Sequence, residues 1–335
     1  MLDRPSDLEG RLEAWLSRLW NQQVSVGSLE RFHGGAARET YSFVVLSQDG
    51  ARRLVLRRDP PSSLIVTSRA VEFHALRRAH AAGLPVPCPL HLADDPEILG
   101  APGFVMEAIG GGRAAGLFEP DPYGDKRAQL GDDLFEALGR LHGLTPETGD
   151  RQLLPAWDAA GRLAWWRDTI EAHATRPEPV ALAALRWLEA HVPPPSGPPA
   201  LIHGDFRSGN FLVGPDNRLL AILDWEMAHI GDPMEDLAWS ADPLWSHGDG
   251  GRVAATVPLR QAIDLWERAS GRHFAHEHWG WWRLFAGLQG LAIWISSANE
   301  VITHRTVDPV LLFAGLYPYR FHNAEVARML KELAA

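Results

Sequence analysis

The most informative stretch of the chain is LIHGDFRSGNFLVGPDNRLLAILDWEMAHIGDP, residues 201–233. An apolar run ends at His203, and two further apolar runs, 211–213 and 219–223, flank a Pro-Asp-Asn turn. Short apolar runs separated by turn residues are typical of β-strands and hairpins. The stretch therefore predicts three short strands, of which the last two form a hairpin.

Three side chains with oxygen ligands follow the ends of these strands. Asp205 and Asn210 lie at the two ends of a short polar loop, and Asp224 ends the last strand. We expect the strands to bring them to one end of a sheet. Hard oxygen ligands of this kind suit Mg²⁺. Phosphoryl transfer needs Mg²⁺ to neutralise phosphate charge and a carboxylate to orient and deprotonate the attacking hydroxyl, and the stretch supplies candidates for both.

These motifs resemble a known family. The spacing His203-x-Asp205-(four residues)-Asn210, followed by Asp224, resembles the catalytic and metal loops of the protein-kinase-like fold. The HGD form, with the later DWE and GDPMEDLAW, resembles the aminoglycoside phosphotransferase family. More narrowly, HGDFR with ILDWEMAHIGDP is similar to the kinase domains fused to acyl-CoA dehydrogenases. The resemblance implies an α+β fold with an N-terminal antiparallel sheet lobe, residues 1–106, and a larger helical lobe, residues 107–335.

The resemblance also implies a role for each residue of the motif. Asp205 becomes the catalytic base, and Asn210 and Asp224 become the Mg²⁺ ligands. Arg207 falls where protein kinases carry a catalytic-loop lysine, so it either stabilises the transferring phosphate through its forked donors or forms a surface ion pair. His203 is expected to hydrogen-bond backbone groups rather than to exchange protons.

Residues after the metal strand are expected to support this loop. Asp232 has the character of a helix N-cap. By resemblance, Asp236 anchors the catalytic loop through hydrogen bonds. Glu226 faces either a second metal ion or the substrate.

The N-terminal region predicts a sheet. Alternating apolar runs around 24–32, 41–47 and 53–58 are separated by turn residues, which favours antiparallel pairing. Gly34 and Gly35 lie in the turn between the first two strands. In kinase-like folds that turn covers the nucleotide phosphates, and glycine permits a close approach of the backbone.

An arginine is expected in a role that lysine often fills. Lysine occurs only at positions 126 and 331, so the basic residues are almost all arginine. The family places a basic residue on the third strand, bound to phosphates and paired with a helix glutamate. By resemblance these are Arg57 and Glu72, although a glutamate early in a helix also favours the helix dipole. Alternation places the neighbouring Arg58 on the opposite face, where we expect it to be solvated.

The segment PGFVMEAIGGG, residues 102–112, resembles the hinge between kinase lobes. The resemblance implies that Met106 lies at the back of an adenine pocket. It also implies that backbone groups of Glu107 and Ile109 bind the adenine edge.

Beyond the hinge, apolar residues recur at helical spacing. An aromatic group composed of Trp279, Trp281, Trp282, Trp294, Tyr317, Tyr319 and Phe321 either lines an acceptor pocket or fills the core between helices. The predicted helices cover residues 127–142, 156–175, 179–191, 257–269, 278–299 and 322–334.

Composition excludes several classes of protein. A 335-residue chain with 46% apolar residues is typical of a globular protein. Its net charge of -10 argues against nucleic acid or an anionic membrane surface as a partner. The single cysteine, Cys88, excludes an internal disulfide, and the N-terminus lacks signal-peptide features, so we expect a cytoplasmic location. The most apolar C-terminal stretch, 279–297, is interrupted by Arg283 and Gln289 and is too short to span a membrane.

The leading interpretation is an ATP-dependent, Mg²⁺-dependent small-molecule kinase. The narrower resemblance implies a hydroxyacyl-CoA or hydroxy acid as the acceptor. An aminoglycoside or other antibiotic is the alternative acceptor, and a nucleotide-binding pseudokinase scaffold is the alternative of another class. The sequence does not distinguish ATP from GTP, and it leaves the oligomeric state open.

Overall fold

Five strands form the N-terminal sheet in the order β1-β2-β3-β5-β4, and every neighbouring pair is antiparallel. The computed structural model describes residues 5–32, 39–59, 68–303 and 309–333. Gly50, with φ +110°, closes the β2–β3 hairpin at the predicted turn. The strands are β1 Ser25–Arg31, β2 Glu39–Ser47, β3 Gly50–Arg58, β4 Pro89–Ala93 and β5 Gly103–Glu107.

One face of this sheet is covered by helix α1, Pro5–Trp20. Its apolar stripe includes Leu12 and Leu16, which are fully buried against Leu54 and Leu56 of β3. Leu8, Leu12 and Leu16 recur at helical spacing in the sequence, and all three are buried, so α1 is an amphipathic helix with one buried face.

The expectation of a solvated Arg58 is wrong, and α1 supplies the reason. Arg58 follows Leu54 and Leu56 on the face that α1 covers, together with Leu99 at the end of the short helix α3, Pro96–Leu99. It is only 8% exposed, and its Nε and Nη2 donate to Glu39 at 3.0 and 2.7 Å. Its Nη1 donates to the carbonyl of Leu99 at 2.9 Å.

The other face of the sheet carries helix α2, Arg69–Ala81, which contains Glu72 in its first turn. The Ser68 hydroxyl accepts the N–H of Val71 and caps the helix. Leu76 of α2 and Met106 of β5 belong to an apolar cluster that continues into the helical part of the chain. The sheet and the helices therefore share one core, and the predicted division after residue 106 falls one residue before β5 ends.

The second half of the chain is mainly helical, and α10 lies at its centre, where it packs against α6, α7, α8 and α12. No helix in the described ranges combines the length and the apolar character needed to cross a bilayer. Sequence periodicity missed the short helices α5 and α11. The helices are α4 Arg127–His142, α5 Thr148–Leu153, α6 Ala159–His173, α7 Pro179–Ala190, α8 Met234–Ser240, α9 Leu259–Ser270, α10 Trp279–Ile302, α11 Pro309–Ala314 and α12 Tyr317–Leu333.

Two separate ribbons replace the single sheet expected for residues 201–233. Strand β6, Ala200–Ile202, pairs with β9, His229–Gly231, whereas β7, Phe211–Val213, pairs with β8, Leu219–Ile222. The expectation of one sheet is therefore wrong, because β6 pairs with β9, near the end of the same stretch, rather than with the hairpin. A third ribbon joins β10 Arg252–Val253 to β11 Val257–Pro258.

Candidate active site

The loop that follows β6 is fixed through its backbone. Gly204 has φ +84°, and a Cβ at this position would lie 2.5 Å from the carbonyl oxygen of Met227, so the turn requires glycine. The buried carboxylate of Asp236 accepts the N–H groups of His203 and Gly204 at 2.7 and 2.8 Å. Gln289 of α10 donates to the Gly204 carbonyl at 3.1 Å.

His203 joins the two ribbons, in the backbone-binding position that the sequence predicted. Its Nε2 lies 2.9 Å from the Leu223 carbonyl, and its Nδ1 lies 3.1 Å from the N–H of Asp205. Because Nδ1 accepts a backbone N–H, Nε2 carries the proton and donates it to Leu223. The ring thereby holds the loop of Asp205 next to the strand that leads to Asp224.

The carboxylate of Asp205 accepts three hydrogen bonds. Oδ1 receives Arg207 Nε at 2.9 Å and the indole Nε1 of Trp239 at 2.7 Å. Oδ2 receives Asn210 Nδ2 at 2.6 Å. Asp205 is 9% exposed, so its carboxylate is held in a fixed orientation and remains accessible to solvent over a small area.

Arg207 is held against the same loop. Its guanidinium lies 4.4 Å from the centre of the Trp245 ring, and Nη1 donates to the Ser208 carbonyl at 3.0 Å. Nη2 has no hydrogen-bond partner in the described part of the chain, and a quarter of the side chain is exposed. Of the two interpretations left open, a peripheral surface pair does not describe this residue, because its ion-pair partner is Asp205 itself.

Asn210 and Asp224 present the oxygens expected of Mg²⁺ ligands. Asn210 Nδ2 also donates to the Asp205 backbone carbonyl at 2.9 Å, so its Oδ1 points away from Asp205. Asp224 has φ +64°, a conformation that aspartate and asparagine adopt more readily than other side chains. Its Oδ1 accepts Arg57 Nη2 at 2.8 Å, which leaves Oδ2 for a cation.

The charge of Asp224 is maintained by its surroundings. Burial is the largest influence and acts to raise the pKa of Asp224, but the charge and hydrogen bond of Arg57, together with the nearby Arg207, hold the pKa below the ordinary value. The described residues contain no group of three or more acidic, histidine or cysteine side chains that would enclose a metal. Mg²⁺ fits this donor set, because it usually takes one or two protein oxygens and completes its shell with phosphates and water.

The predicted ion pair between β3 and α2 is present. Arg57 Nε lies 3.0 Å from Glu72 Oε1, and its Nη2 lies 3.9 Å from Glu226 Oε2. Burial would lower the pKa of Arg57, but the carboxylates of Glu72, Asp224 and Glu226 raise it. The second oxygen of Glu72 contacts the buried Arg69. Arg57 therefore connects α2 to Asp224, just after the end of β8.

The residues predicted to form the hinge lie at the end of β5 and just beyond it. Met106 is 8% exposed and lies in the shared core. The Glu107 N–H donates to the Cys88 carbonyl at 2.9 Å, so only the Glu107 carbonyl remains for an adenine edge. The N–H of Ile109 makes no hydrogen bond within the described ranges. Gly34 and Gly35, the predicted phosphate-covering glycines, lie outside the described residues.

Sequence reasoning did not identify Trp239 and Trp245, which hold Asp205 and Arg207. Trp239 follows Asp236 by three residues in α8, so the two share one helix face, and that spacing was the available signal.

The aromatic residues that were expected to line a pocket or fill the core differ in their exposure. Trp281 and Trp282 are buried in the core, whereas Tyr317 is half exposed and contacts the rings of Phe118 and Phe313.

Comparison with known proteins agrees with this geometry. Residues 28–274 match the model of the phosphotransferase enzyme family. Acyl-CoA dehydrogenase family member 11 from Homo sapiens is 26% identical over 326 residues, which cover 92% of this chain and 41% of that protein. Family member 10 from Mus musculus is 30% identical over 244 residues, which cover 68% of this chain and 22% of that protein. The chain thus spans well under half the length of these curated relatives, and the predicted resemblance to kinase domains of such proteins is confirmed.

Solved structures share the fold. A candidate aminoglycoside phosphotransferase from Ralstonia eutropha has a TM-score of 0.74 at 21% identity, covering 96% of this chain and 98% of that one. Choline kinase LicA from Streptococcus pneumoniae has a TM-score of 0.63 at 16% identity, covering 97% and 99%. A ternary complex of aminoglycoside phosphotransferase APH(4)-Ia with AMP-PNP and hygromycin B has a TM-score of 0.57 at 17% identity, covering 96% and 97%. The prediction of an α+β, protein-kinase-like fold is confirmed.

Proposed function

The chain belongs to the phosphotransferase enzyme family, and we propose that it is an ATP-dependent kinase that moves the γ-phosphate to a hydroxyl of a small molecule. Family membership confirms the predicted enzyme class, and the nucleotide, the metal ion and the acceptor are proposals. The proposal of ATP is supported by the fold shared with a phosphotransferase that holds AMP-PNP.

The observation that carries the proposal is the grouping of four side chains from three parts of the chain: β3, the loop after β6 and the residues after β8. Asp205 and Asn210 share a hydrogen bond of 2.6 Å, and Asp224 and Arg57 share one of 2.8 Å. His203 ties the two pairs together through Leu223. A carboxylate base, two metal-facing oxygens and a fixed cation are the parts that phosphoryl transfer requires.

In the proposed reaction each residue has one task. Asp205 orients the acceptor hydroxyl and accepts its proton. Arg207 Nη2 is placed to donate to the transferring phosphate. Asn210 Oδ1 and Asp224 Oδ2 hold Mg²⁺, which when bound would neutralise phosphate charge. Arg57 binds the nucleotide phosphates, and the Ile109 N–H and the Glu107 carbonyl bind the adenine edge.

For the acceptor we propose a hydroxyacyl-CoA or a hydroxy acid. The relatives named acyl-CoA dehydrogenases support an acyl compound. So does an exposed aromatic surface in which the Phe118 ring lies 5.2 Å from Phe313 and 5.4 Å from Tyr317. His247 Nδ1 lies 2.8 Å from the backbone carbonyl of Glu119, the residue after Phe118, and His247 Nε2 lies 2.9 Å from the Ser208 hydroxyl, in the loop that contains Asp205. An apolar chain suits such a surface better than a polycationic antibiotic does.

The test is Mg²⁺-dependent ADP release with hydroxyacyl-CoAs, free hydroxy acids, aminoglycosides and macrolides. We expect turnover with an acyl acceptor, and we expect Asp205→Asn to lower kcat by roughly 10²- to 10⁴-fold. Asp216→Asn makes the same change of charge on an exposed turn and is the matched control. Turnover of an antibiotic alone would reject the acyl acceptor. Nucleotide binding with activity that is unchanged in Asp205→Asn would reject the mechanism and favour a scaffold.

We also propose a cytosolic location. It is supported by the single cysteine, Cys88, which is a free thiol.

A further inference from the structure

The two oxygens of the Asp205 carboxylate have different environments. A carboxylate oxygen has two lone pairs that accept hydrogen bonds. Oδ1 receives two donors, Arg207 Nε and Trp239 Nε1, so both of its positions are filled. Within the described ranges, Oδ2 receives a single donor, Asn210 Nδ2. Oδ2 is therefore the oxygen with a position left for an acceptor hydroxyl.

We propose that Trp239 is a positioning residue for phosphoryl transfer, whose indole N–H occupies Asp205 Oδ1 and so presents Oδ2 to the acceptor. The inference rests on the proposed function, in which Asp205 is the base. In the step itself, the acceptor oxygen forms a bond to the γ-phosphorus. The bond from that phosphorus to the β,γ-bridging oxygen breaks, its electron pair leaves with ADP, and the hydroxyl proton passes to Oδ2.

The packing of Trp239 makes it suitable for this task. The side chain is 1% exposed, and its ring meets the edge of Trp245 at a centroid distance of 5.2 Å. On another side it lies parallel to His322 of α12, with 20° between the rings and 6.2 Å between their centres. His322 Nδ1 accepts the indole N–H of Trp294 at 2.8 Å, and its Nε2 lies 3.1 Å from Asp242. The indole is thus held between fixed rings and cannot follow a rotation of the carboxylate.

Helix α8 therefore positions both the backbone of the loop that contains Asp205 and the Asp205 carboxylate. Asp236 fixes the backbone of the loop through two N–H groups, and Trp239, three residues later, fixes the carboxylate. Loss of the indole donor would leave Arg207 as the only group on Oδ1. The carboxylate would then populate orientations in which Oδ2 no longer faces the acceptor. Transfer depends on such alignment, whereas binding of the nucleotide does not.

The experiment compares Trp239→Phe with Trp281→Phe under saturating MgATP and acceptor. Trp281 is also buried, at 4% exposure, and its indole N–H donates to the Leu188 carbonyl at 3.0 Å. The control therefore loses the same atoms and one hydrogen bond, at a site in the helical core. We expect Trp239→Phe to lower kcat about 10- to 100-fold, as for loss of a hydrogen bond to a charged group. The KM for MgATP should stay within about twofold, and kcat of the control should stay within about twofold of the wild type.

A second variant covers the case in which the smaller phenyl ring disturbs folding. Site-specific incorporation of 3-benzothienylalanine at position 239 keeps the shape of the ring and replaces the N–H by sulfur. The same fall in kcat is expected, with a thermal unfolding midpoint close to that of the wild type.

Three results would overturn the inference: an unchanged kcat in the benzothienyl variant, an equal loss in Trp281→Phe, or a change in KM alone. Failure of the proposed function has a different signature, because Asp205→Asn would then retain its activity. If Asp205→Asn is inactive and both Trp239 variants are fully active, the proposed function stands and the role of Trp239 is rejected.

Discussion

Replacement of Arg57 by methionine is expected to destabilise the nucleotide-free protein. Its guanidinium contacts Glu72 at 3.0 Å and Asp224 at 2.8 Å, and the side chain is only 11% exposed. Breaking a buried ion pair by removing one partner typically costs about 3–5 kcal/mol. Two features reduce this value: Glu72 retains Arg69, and a third of the Asp224 side chain is exposed to water. We therefore expect the free energy of unfolding to fall by about 2–3 kcal/mol, somewhat less than the range for fully buried pairs.

Arg57→Lys tests whether the positive charge at this position is sufficient or whether the shape of the guanidinium is also needed. An ammonium group keeps the positive charge but cannot place two donors toward Glu72 and Asp224 in the fixed fork of a guanidinium. We expect a loss of about 1 kcal/mol, the typical value for one hydrogen bond, and weaker MgADP binding than in the wild type.

Urea unfolding at pH 7 without nucleotide measures these differences, and Arg52→Met is the matched control. Arg52 lies on the same strand and pairs with Glu107 at 2.7 Å, but both side chains are nearly half exposed. Such a surface pair contributes about 0.2–1 kcal/mol. If Arg57→Met loses no more unfolding free energy than Arg52→Met, or becomes more stable than the wild type, the ion pairs of Arg57 do not hold α2 to the residues that follow β8.

Three further predictions concern Gly204, His142 and Arg207. Gly204→Ala places a Cβ 2.5 Å from the Met227 carbonyl oxygen at φ +84°, so we expect a loss of about 2–4 kcal/mol in urea unfolding, as for other severe local clashes, together with reduced turnover. Burial lowers the pKa of His142, which is 3.1 Å from Asp236. As the pH falls below about 6.5, His142 therefore binds a proton in the unfolded chain but not in the native state. The free energy of unfolding should then fall by up to about 1.4 kcal/mol per pH unit. His142→Gln should show a shallower slope. Arg207→Lys loses the planar stacking and the fork, so we expect kcat to fall about tenfold while the unfolding free energy changes by less than about 1 kcal/mol.

The parts of the site that the sequence could predict are those fixed by short chain separations. Asp205 and Asn210 are five residues apart, and their hydrogen bond closes within one loop. Helix α2 has a serine N-cap and a glycine after its end, so local chemistry places Glu72 in its first turn. Motif order then identified Arg57 as the partner of Glu72.

The features that the sequence did not predict depend on contacts between elements that are distant in the chain. The alternation of side chains along β3 correctly placed Arg58 on the face opposite Arg57. This pattern contains no information on α1, the helix that covers the face of Arg58. Strand β6 has three residues, too few for its pattern to specify a partner, and it pairs with β9. The contact of Trp239 with Asp205 spans 34 positions and arises only when α8 packs behind the loop.

The charges around Asp224 explain why a divalent cation and a phosphate chain would have to enter together. Glu72, Asp224 and Glu226 lie within 4 Å of the Arg57 guanidinium, and Arg69 pairs with Glu72, so these three carboxylates face two guanidinium groups in a largely buried region. A phosphate chain alone would add negative charge beside Asp224 and Glu226, and repulsion is strong where water is scarce. Mg²⁺ on Asn210 and Asp224 would reverse this balance and take over the Asp224 oxygens. The guanidinium fork of Arg57 would then be free to turn from Asp224 to the phosphates while its Nε remains on Glu72, which an arginine can do and a lysine cannot.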